Sequence, residues 1–399
     1  MAYSYRIFDS IEHVDLTEWQ RIRSASNGSI ATDPRFITAV EVSMKQVHKF
    51  WYIVIYDESA VPVACTSASA ITIDLVDLAD PGLGRIIRHI PLLFSRLRHL
   101  KLFICGLPIA TGLHALEFAQ RSASPQILPV LDGIICNLAN EAKADAIVYK
   151  EFGKSDLSWT KPLLELGYHR ISTPPSYSFR PEFEDFAQYC AALKKHYRWQ
   201  INRSRRKLSG AGLEVIVLSD PEEIVRAYTS EVHALYRQMA DRATTRVEAL
   251  PIELLHQLTV RLKGQIELVA IRKDVRIVAF AWCLHAQSSY YTMCGGLDYQ
   301  LNGQFDLYFN LVYAALDRGL QKRGSTIVFG IGADTVKARI GCYSEPLYVF
   351  AKGRGPLMSF IVRAAGNFLI AQNPAAAPFN IFKNKVGEHA SEGGPTRTV

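Results

Sequence analysis

The chain has 399 residues, of which 49% are hydrophobic and 21% are charged. This length exceeds one ordinary single-core domain, and the composition excludes global disorder. Its 45 basic and 38 acidic residues leave a formal net charge of +7, which permits anionic partners without requiring nucleic acid. The seven cysteines form no CxxC pair and the histidines show no HExxH spacing, which argues against a zinc ribbon, a redox dithiol and a disulfide framework.

The N-terminal segment and the longest charge-free stretch both favour a protein outside the bilayer. Acidic residues at Asp9, Glu12 and Asp15 interrupt the N-terminus, which has no apolar core typical of a signal peptide. The charge-free stretch 277–297 contains polar residues and a Gly-Gly pair, and we interpret it as two adjacent strands rather than a membrane helix. We therefore expect a cytoplasmic protein.

The first half of the chain predicts apolar strands that alternate with helices. FWYIVIYDES is aromatic and β-branched and ends in Asp-Glu-Ser, as a strand does before a turn. A segment further on places its apolar residues on one helical face and its arginines mostly elsewhere, which predicts a basic amphipathic helix despite Pro91. The predicted order is a helix over 34–47, strands over 50–59 and 61–75, the amphipathic helix over 84–100, a strand over 101–108, a helix over 125–143, a strand over 145–152 and a helix within 163–170.

The second half is expected to begin near Pro181, after STPPSYSF, which we interpret as a proline-rich turn. Further on, Pro221 is followed by Glu222 and Glu223, a composition typical of the first turn of a helix. The predicted order is a helix over 186–208, a strand over 213–219, helices over 221–242 and 250–262, three strands between 265 and 298, a loop over 299–304, a helix over 305–324 and strands over 326–334 and 345–352.

This order of elements indicates an α+β fold and not the alternation of a doubly wound sheet. The first half repeats the order of the second in a shorter form, so we infer a duplicated module in which a mixed central sheet is flanked by helices. The predicted boundaries are 1–178 for a degenerate N-terminal module, 179–375 for the C-terminal module and 376–399 for a disordered tail.

Three stretches of the second half resemble a known family. They are LYRQMADRATTRVEAL (235–250), GGLDYQ to YFNLVYAALDRGL (295–320) and GIGADTVKARIGCYSEPLYVFAK (330–352), the last with a G-x-x-A-x-x-x-K-x-R-x-G pattern. Together they resemble the GNAT acyltransferase superfamily, in the double-module branch related to Fem-type (FemAB-like) aminoacyl transferases. The resemblance covers 180–352 well and the first half in outline. It implies two tandem GNAT-like modules, of which the second is an acyltransferase.

The segment before the predicted helix 305–324 departs from acetyl-CoA-binding relatives. Those relatives usually have a dense Q/R-x-x-G-x-G/A loop whose backbone N–H groups hold a pyrophosphate. Only Asn302, Gly303 and Gln304 stand here. The resemblance implies no permanently bound cofactor and no metal, with an acyl-CoA or acyl carrier protein thioester as co-substrate. These three residues and Arg339 are the candidates to hold the co-substrate. Because the loop is sparse, an acyl carrier protein or an aminoacyl-tRNA is a more plausible donor here than in acetyl-CoA-binding relatives.

Acyl transfer to an amine requires loss of a proton from the amine, polarisation of the carbonyl and protonation of the leaving group. The resemblance implies that these groups lie where the central strands diverge. Asp298 is the first candidate for the general base, with a turn-capping role as the alternative. Tyr308 is a candidate proton donor to the leaving thiolate, or else an aromatic packed on the sheet. Lys337 is a candidate to hold a phosphate or the acceptor carboxylate, or else an ordinary solvated charge.

Four residues are candidates for substrate binding. Arg242 and Glu248 bracket the loop after a predicted helix, where the arginine would clamp a carboxylate and the glutamate would orient it or receive an amine. A weak surface ion pair is the alternative. Tyr299 is placed to contact the acceptor amine. Glu151, together with Lys150, ends a strand of the first module toward an inter-module cleft, and a solvated strand end is the alternative for both.

Two further segments predict partners. Residues 194–207 contain seven lysines and arginines, and their apolar stripe at helical spacing predicts one buried face and one cationic face. That face suits tRNA phosphates, the acidic face of a carrier protein, coenzyme A phosphates or anionic lipid head groups, and a solvated helix is the plain alternative. The apolar segment 355–382 predicts a helix packed on the domain or lying at a membrane interface, which would make the protein membrane-peripheral.

The primary prediction is an N-acyltransferase that moves an acyl group from an acyl-CoA or acyl carrier protein thioester to an amine by direct attack. The acceptor would be a small molecule, an amino acid or a lipid precursor. One alternative is a Fem-type transferase that depends on aminoacyl-tRNA, and only this alternative requires tRNA as a partner. A second alternative is a non-catalytic module that binds a carrier protein or a lipid.

Overall fold

The computed structural model describes residues 3–26, 28–74, 99–242, 250–372 and 379–383, with residues 365–372 described by their backbone alone. Most of the predicted amphipathic helix over 84–100 lies outside these ranges, and so does Glu248. Among the described residues, none of the helices has the length and apolar character needed to cross a membrane.

Thirteen strands and thirteen α-helices lie within the described ranges. The strands are β1 Ser4–Phe8, β2 Lys49–Tyr56, β3 Pro62–Asp74, β4 His99–Cys105, β5 Leu116–Phe118, β6 Ala146–Phe152, β7 His169–Phe179, β8 Leu213–Leu218, β9 Ile266–Lys273, β10 Arg276–Ala286, β11 Ser289–Leu297, β12 Thr326–Ile331 and β13 Tyr343–Gly353. The helices are α1 Leu16–Ser26, α2 Pro34–Met44, α3 Ser124–Glu141, α4 Lys161–Glu165, α5 Phe186–Ala192, α6 Lys195–Ser209, α7 Pro221–Ala227, α8 Ser230–Arg242, α9 Ile252–Arg261, α10 Tyr299–Phe305, α11 Leu307–Gln321, α12 Asp334–Arg339 and α13 Pro356–Gln372.

All thirteen strands belong to one continuous mixed sheet, with β5 attached to β3 beside the main path. The order along the main path is β1-β2-β3-β4-β6-β13-β7-β12-β11-β10-β9-β8. Only the β4–β6 and β11–β12 pairs are parallel, and they occupy corresponding places in the two halves. Strand β7, from the first half of the chain, pairs with β12 of the second half, while β13 pairs with β6 of the first. The predicted α+β class with a mixed sheet flanked by helices is confirmed.

Local backbone conformation repeats between the two halves. Helix α3 and helix α11 are each followed by a cation in the left-handed region, Lys143 with φ 54° and Arg323 with φ 52°. Each turn leads into a short strand of the same character, Ile-Val-Tyr at 147–149 and Ile-Val-Phe at 327–329. Because non-glycine residues rarely adopt positive φ, its recurrence at matching places supports a duplicated module.

The prediction that STPPSYSF forms a turn is wrong, because residues 172–179 belong to the central strand β7 and extend to its end. Prolines cannot donate to a sheet ladder, so they are expected at edges or bulges. The β7–β13 register shifts between Glu345 and Leu347, opposite the two prolines. Pairing of β7 with β12 begins only at Ser176, beyond Pro175. The two prolines therefore lie where the ladder is already interrupted.

Two predicted long helices are each divided in the structure, and part of the predicted tail is ordered. The break between α5 and α6 falls at Leu193, which is extended and pairs with Phe382. The Lys194 amide donates to the Ile381 carbonyl at 2.9 Å, and Ile381 is fully buried. Residues 379–383 are therefore packed against the second module, in contrast to the disorder predicted for 376–399. The break between α7 and α8 follows Tyr228, whose ψ of 71° is not helical.

The C-terminal helix α13 packs on β7 and β13, which bears out the packed alternative for this apolar segment. Met358 and Val362 are buried against the sheet, whereas Leu357 and Phe360 are 61% and 68% exposed. Contact with a membrane remains a prediction.

Gly296 on β11 allows helix α8 to cross the strand closely. A Cβ at this position would lie 2.6 Å from the Leu235 carbonyl carbon and would also collide with the Tyr236 amide nitrogen. We expect Gly296→Ala to lower the free energy of unfolding by about 3 kcal/mol, since the clash is with backbone that no rotamer change can move. Urea unfolding measures this effect.

Gly303→Ala is the matched control, because a Cβ there has no heavy atom within 4 Å and the residue lies inside helix α10. This variant should gain about 0.5–1 kcal/mol from higher helix propensity. Equal midpoints for the two variants would contradict the close approach of α8 to β11.

Candidate active site

The candidate site lies where the parallel strands β11 and β12 separate. Their pairing is limited to Ser289–Tyr291 of β11 against Thr326–Val328 of β12. Beyond that point β11 continues to Leu297 with β10 as its partner, while β12 turns to β7. The result is an opening between the two strands, which we call the β11–β12 cleft. Helices α10 and α11 follow β11 directly, so their first residues lie at this cleft.

Asp298 ends β11 and caps helix α10. Its Oδ1 accepts a hydrogen bond from the Gln300 amide at 3.0 Å, and its Oδ2 lies 3.4 Å from Nη2 of Arg276. The structure thus shows the capping role that was the alternative for this residue. A carboxylate has further lone pairs beyond these two contacts. The general-base role of Asp298 stays a prediction.

The structure brings two predicted substrate-binding residues together. The guanidinium of Arg242, at the end of α8, lies 4.0 Å from the ring centre of Tyr299, the first residue of α10. Arg242 is exposed, and its Nη1 donates to the Gln238 carbonyl at 3.2 Å. The exposed cation is therefore held against an aromatic face beside the cleft, where it remains open to a carboxylate.

Tyr308, in the first turn of α11, is half-buried close to other titratable groups. Burial raises the pKa of its phenol above the ordinary value of 10.0, and nearby Tyr299, Cys342 and Asp334 raise it further. A phenol with a raised pKa is fully protonated at neutral pH and is suited to donate a proton rather than to accept one. Within the described part of the chain its hydroxyl has no hydrogen-bond partner.

Lys337, in α12, is buried and has a different environment from the one predicted. Its Nζ donates to the carbonyls of Gly330 and Ile331, both at 2.9 Å, and lies 5.8 Å from the ring centre of Tyr177. The side chain is 4% exposed, in contrast to the solvated charge considered for it. These contacts fix the end of β12, where Gly330 has a φ of +69°. A phosphate-binding role for Lys337 stays a prediction.

Burial lowers the pKa of Lys337 from 10.5 to about 8, although Cys342 and Asp334 oppose the shift. Between pH 8 and 10.5 the unfolded chain binds a proton that the folded chain has lost, so stability should rise with pH in this window. We expect the unfolding free energy of the wild type, relative to Lys337→Met, to increase by up to about 3 kcal/mol from pH 8 to 10.5.

Chemical denaturation at a series of pH values measures this difference. Lys263 is exposed, so the same comparison with Lys263→Met should give a flat line. A flat line for Lys337→Met would contradict the lowered pKa.

The prediction of a loop over residues 299–304 is wrong, because residues 299–305 form helix α10. The Asn302 amide donates to the Asp298 carbonyl at 3.0 Å, and Gly303 and Gln304 lie inside the same helix. The side-chain Oδ1 of Asn302 accepts from the Tyr308 amide at 2.9 Å, so it caps the first turn of α11. Donor binding by Asn302, Gly303 and Gln304 stays a prediction, without a loop to support it.

Arg339, the remaining donor-binding candidate, is the exposed last residue of α12. Its guanidinium lies 5.8 Å from the ring centre of Phe379. The arginine is therefore directed toward the packed C-terminal segment, and its role in donor binding stays a prediction.

Glu151 lies in the first module, near the end of strand β6. It adopts a positive φ of 65° and is 9% exposed. Its carboxylate accepts from the amides of Thr111 and Gly112 at 2.9 Å and from Nζ of Lys150 at 2.8 Å. Both charges are thus engaged with the loop after β4, in contrast to the solvated strand end considered for them. Substrate binding by Glu151 stays a prediction.

The basic helix α6 is anchored beside the start of α11. Asp306, the residue between α10 and α11, accepts from Nζ of Lys207 at 2.8 Å and from the Ser204 hydroxyl at 2.9 Å. The buried amide of Asn310 donates to the Ser204 and Phe305 carbonyls. Sequence reasoning missed Asp306, Ser204 and Asn310, and only the polar character of Asn310 within an apolar helical stripe gave a signal.

Comparison with known proteins finds a family match within the second half of the chain. Residues 195–338 match the family described as "Acetyltransferase (GNAT) domain". No curated protein sequence matches the chain.

Three solved structures share the fold of almost the whole chain. The structure of FemX is 12% identical, covers 91% of this chain and 100% of its own, and has a TM-score of 0.54. A tandem GNAT protein from the clavulanic acid biosynthesis pathway is 10% identical, with 89% and 99% coverage and a TM-score of 0.52. The C-terminal DUF2156 domain of a candidate lysylphosphatidylglycerol synthetase from Agrobacterium fabrum is 11% identical, with 88% and 96% coverage and a TM-score of 0.50.

The chain therefore shares the fold of these structures, and residues 195–338 match the acetyltransferase (GNAT) domain family. The predicted resemblance to the double-module branch is confirmed.

Proposed function

We propose that the protein is an N-acyltransferase that moves an acyl group from a thioester donor to an amine. The observation that carries the proposal is the β11–β12 cleft inside the GNAT domain, with a protonated phenol at its edge. The donor is an acyl-CoA or an acyl carrier protein thioester. The acceptor is an amine of a small molecule, an amino acid or a lipid precursor.

The reaction is a direct displacement. The amine nitrogen attacks the thioester carbonyl, the C–N bond forms, and the C–S bond breaks as the thiolate leaves. Tyr308 supplies the proton that converts the thiolate to a thiol, and its raised pKa keeps the phenol protonated at neutral pH. Asp298, at the end of β11, is the candidate that receives the proton of the attacking amine. Water then reprotonates the Tyr308 phenolate, and Asp298 releases the proton it received to water.

The acceptor is proposed to carry a carboxylate near its amine. The exposed guanidinium of Arg242 lies on the face of Tyr299 beside the cleft, which supports a bidentate contact with such a group. A free amino acid has this chemistry. The exposed Leu357 and Phe360 on α13 support peripheral contact with a membrane if the acceptor is a lipid.

A Fem-type transferase that uses aminoacyl-tRNA is the second candidate. The observation that favours it is the basic helix α6, on which Lys195, Arg198, Arg203 and Arg206 have no carboxylate partner among the described residues. Binding of tRNA through this helix would weaken steeply with added salt.

The test is mass spectrometry of reaction products. The full chain is incubated with acyl-CoAs, acyl carrier protein thioesters or charged tRNA, each against pooled amines and amino acids. Acylated amine from a thioester is the expected result. Transfer from charged tRNA alone would replace the proposal by the Fem-type candidate. Absence of product from every donor would contradict both and leave a non-catalytic binding module.

A further inference from the structure

An open, shallow groove lies on the exposed face of helix α6. Its volume is about 420 Å³, and it is lined by Trp199, Arg203, Arg206 and Lys207. A cavity of this size is within the range of small-molecule sites, which is roughly 300–1,000 Å³. Four residues of one helix therefore form a small site in which three of the side chains are cations.

The aromatic side chain of the groove is unusually accessible. Trp199 is 50% exposed, and the Arg203 guanidinium lies 5.3 Å from the centre of its ring. An exposed indole next to a guanidinium offers one flat face for stacking and a planar fork for an anion. This combination suits a ligand that carries both a planar ring and a negative charge.

The positive charge of the groove is only partly neutralised. Lys207 is paired with Asp306, whereas Arg203 and Arg206 have no carboxylate partner among the described residues. The sequence from 186 to 213 contains no aspartate or glutamate, so helix α6 and its flanks provide no local compensation. An anionic ligand would supply the missing charge, and guanidinium groups bind phosphate in a bidentate manner.

The groove is connected to the candidate active site through one residue. Lys207 lines the groove and binds Asp306, which immediately precedes helix α11. Tyr308 stands two residues further along the chain, in the first turn of that helix. The Lys207 end of the groove therefore lies beside the start of α11.

We propose that this groove binds the phosphorylated nucleoside of the acyl donor, with the base stacked on Trp199 and a phosphate held by Arg203 and Arg206. Two donors carry this chemistry: coenzyme A, through its adenosine 3′,5′-bisphosphate, and an RNA, through its terminal nucleotide. An acyl carrier protein presents acidic side chains but has no nucleobase that could stack on Trp199, so it does not fit this groove. The inference rests on the proposed function and deepens it. It assigns the nucleotide of the acyl donor a binding site on helix α6, whereas acetyl-CoA-binding relatives hold the donor with a phosphate-binding loop.

The test begins with direct binding. Isothermal titration calorimetry measures adenosine 3′,5′-bisphosphate, and separately the trinucleotide CCA, against the wild type, Trp199→Ala and Arg203→Gln. Stacking on an exposed aromatic is lost in Trp199→Ala, so binding of the preferred probe should weaken roughly 5- to 100-fold. Lys263→Gln, which removes an exposed lysine outside the groove, should bind as the wild type does.

The preferred probe identifies the source of the nucleotide, coenzyme A for the bisphosphate and RNA for the trinucleotide. Failure of both probes to bind would overturn the proposal, and so would unchanged affinity in Trp199→Ala and Arg203→Gln. Both replaced side chains are exposed, so thermal melting should show folded variants.

Kinetics separate failure of the groove from failure of the proposed function. The loss of kcat/KM in Trp199→Ala should be at least about fivefold larger for an acyl-CoA than for the same acyl group on N-acetylcysteamine, which has no nucleotide. Equal losses for the two donors would overturn the groove for coenzyme A while leaving acyl transfer in place. If no thioester is turned over, the proposed function fails, and calorimetry still decides whether the groove binds a nucleotide.

Discussion

Tyr308→Phe is expected to lower kcat for acyl transfer by roughly 10²- to 10⁴-fold, the usual range for removal of a general acid. The variant keeps the ring and the half-buried position but loses the phenolic hydroxyl that is proposed to donate the proton. Because burial raises the pKa of Tyr308, the phenol is protonated over the whole neutral range, and its loss affects every turnover. Steady-state kinetics with a thioester donor measure the effect.

The change should act on the chemical step and not on the fold. The contact of this residue with Asn302 is made by the backbone amide, which phenylalanine retains. Urea unfolding should therefore give the wild-type free energy within about 0.5 kcal/mol. Tyr313→Phe is the matched control, since Tyr313 is a buried core residue of the same helix and should retain wild-type activity. Equal kcat values for Tyr308→Phe and the wild type would contradict the proton-donor role.

Much of the second half of the fold follows from periodicity and composition. The strands β9, β10 and β11 and the helix α11 lie within a few residues of their predicted bounds, because alternating and 3.6-residue apolar patterns define them. Such patterns report burial on one face of an element. They therefore predict the order of elements that makes the α+β class recognisable.

The segments that sequence reasoning misplaced are those whose conformation depends on distant partners. In β7, the prolines predict a turn, and the strand forms because β13 and β12 supply partners on both sides of the interruption. In α10, Asn302 and Gly303 predict a loop, and the helix forms under the cap of Asp298. Local propensity is a weak guide in both places because tertiary pairing outweighs it.

The candidate site was predicted in part. The sequence placed Tyr299 and Tyr308 around one strand end, and the structure keeps them close together. It also brings Arg242, which the sequence assigned to a different loop, onto the ring of Tyr299. The burial of Lys337 and the engagement of Glu151 with a loop could not be predicted, since both depend on which backbone groups face the side chain. Sequence shows that a charge is present, whereas its environment is set by the folded chain.

A buried carboxylate on β9 is expected to contribute strongly to the stability of the fold. Glu267 on β9 is 2% exposed and accepts hydrogen bonds from Arg318 at 2.7 and 2.8 Å. Its Oε1 is also 2.7 Å from Nζ of Lys322. We expect Glu267→Gln to lower the free energy of unfolding at pH 7 by about 3 kcal/mol, because the two cations lose the charge that compensates them. Urea unfolding measures the loss.

The pH dependence of this loss provides a sharper test than its size. Burial alone would raise the pKa of Glu267, but hydrogen bonds from Arg318 and Lys322 outweigh it and hold the pKa below 4.5. A carboxyl group with a lowered folded-state pKa contributes its full stability above pH 4.5 and loses it as the pH falls through the folded-state value. The difference between the wild type and Glu267→Gln should therefore be constant from pH 7 to 5 and shrink on further acidification. The same substitution at exposed Glu253 should change stability by less than about 0.5 kcal/mol at every pH. A difference for Glu267→Gln that persists unchanged to pH 2 would show that packing, and not the charge, is responsible.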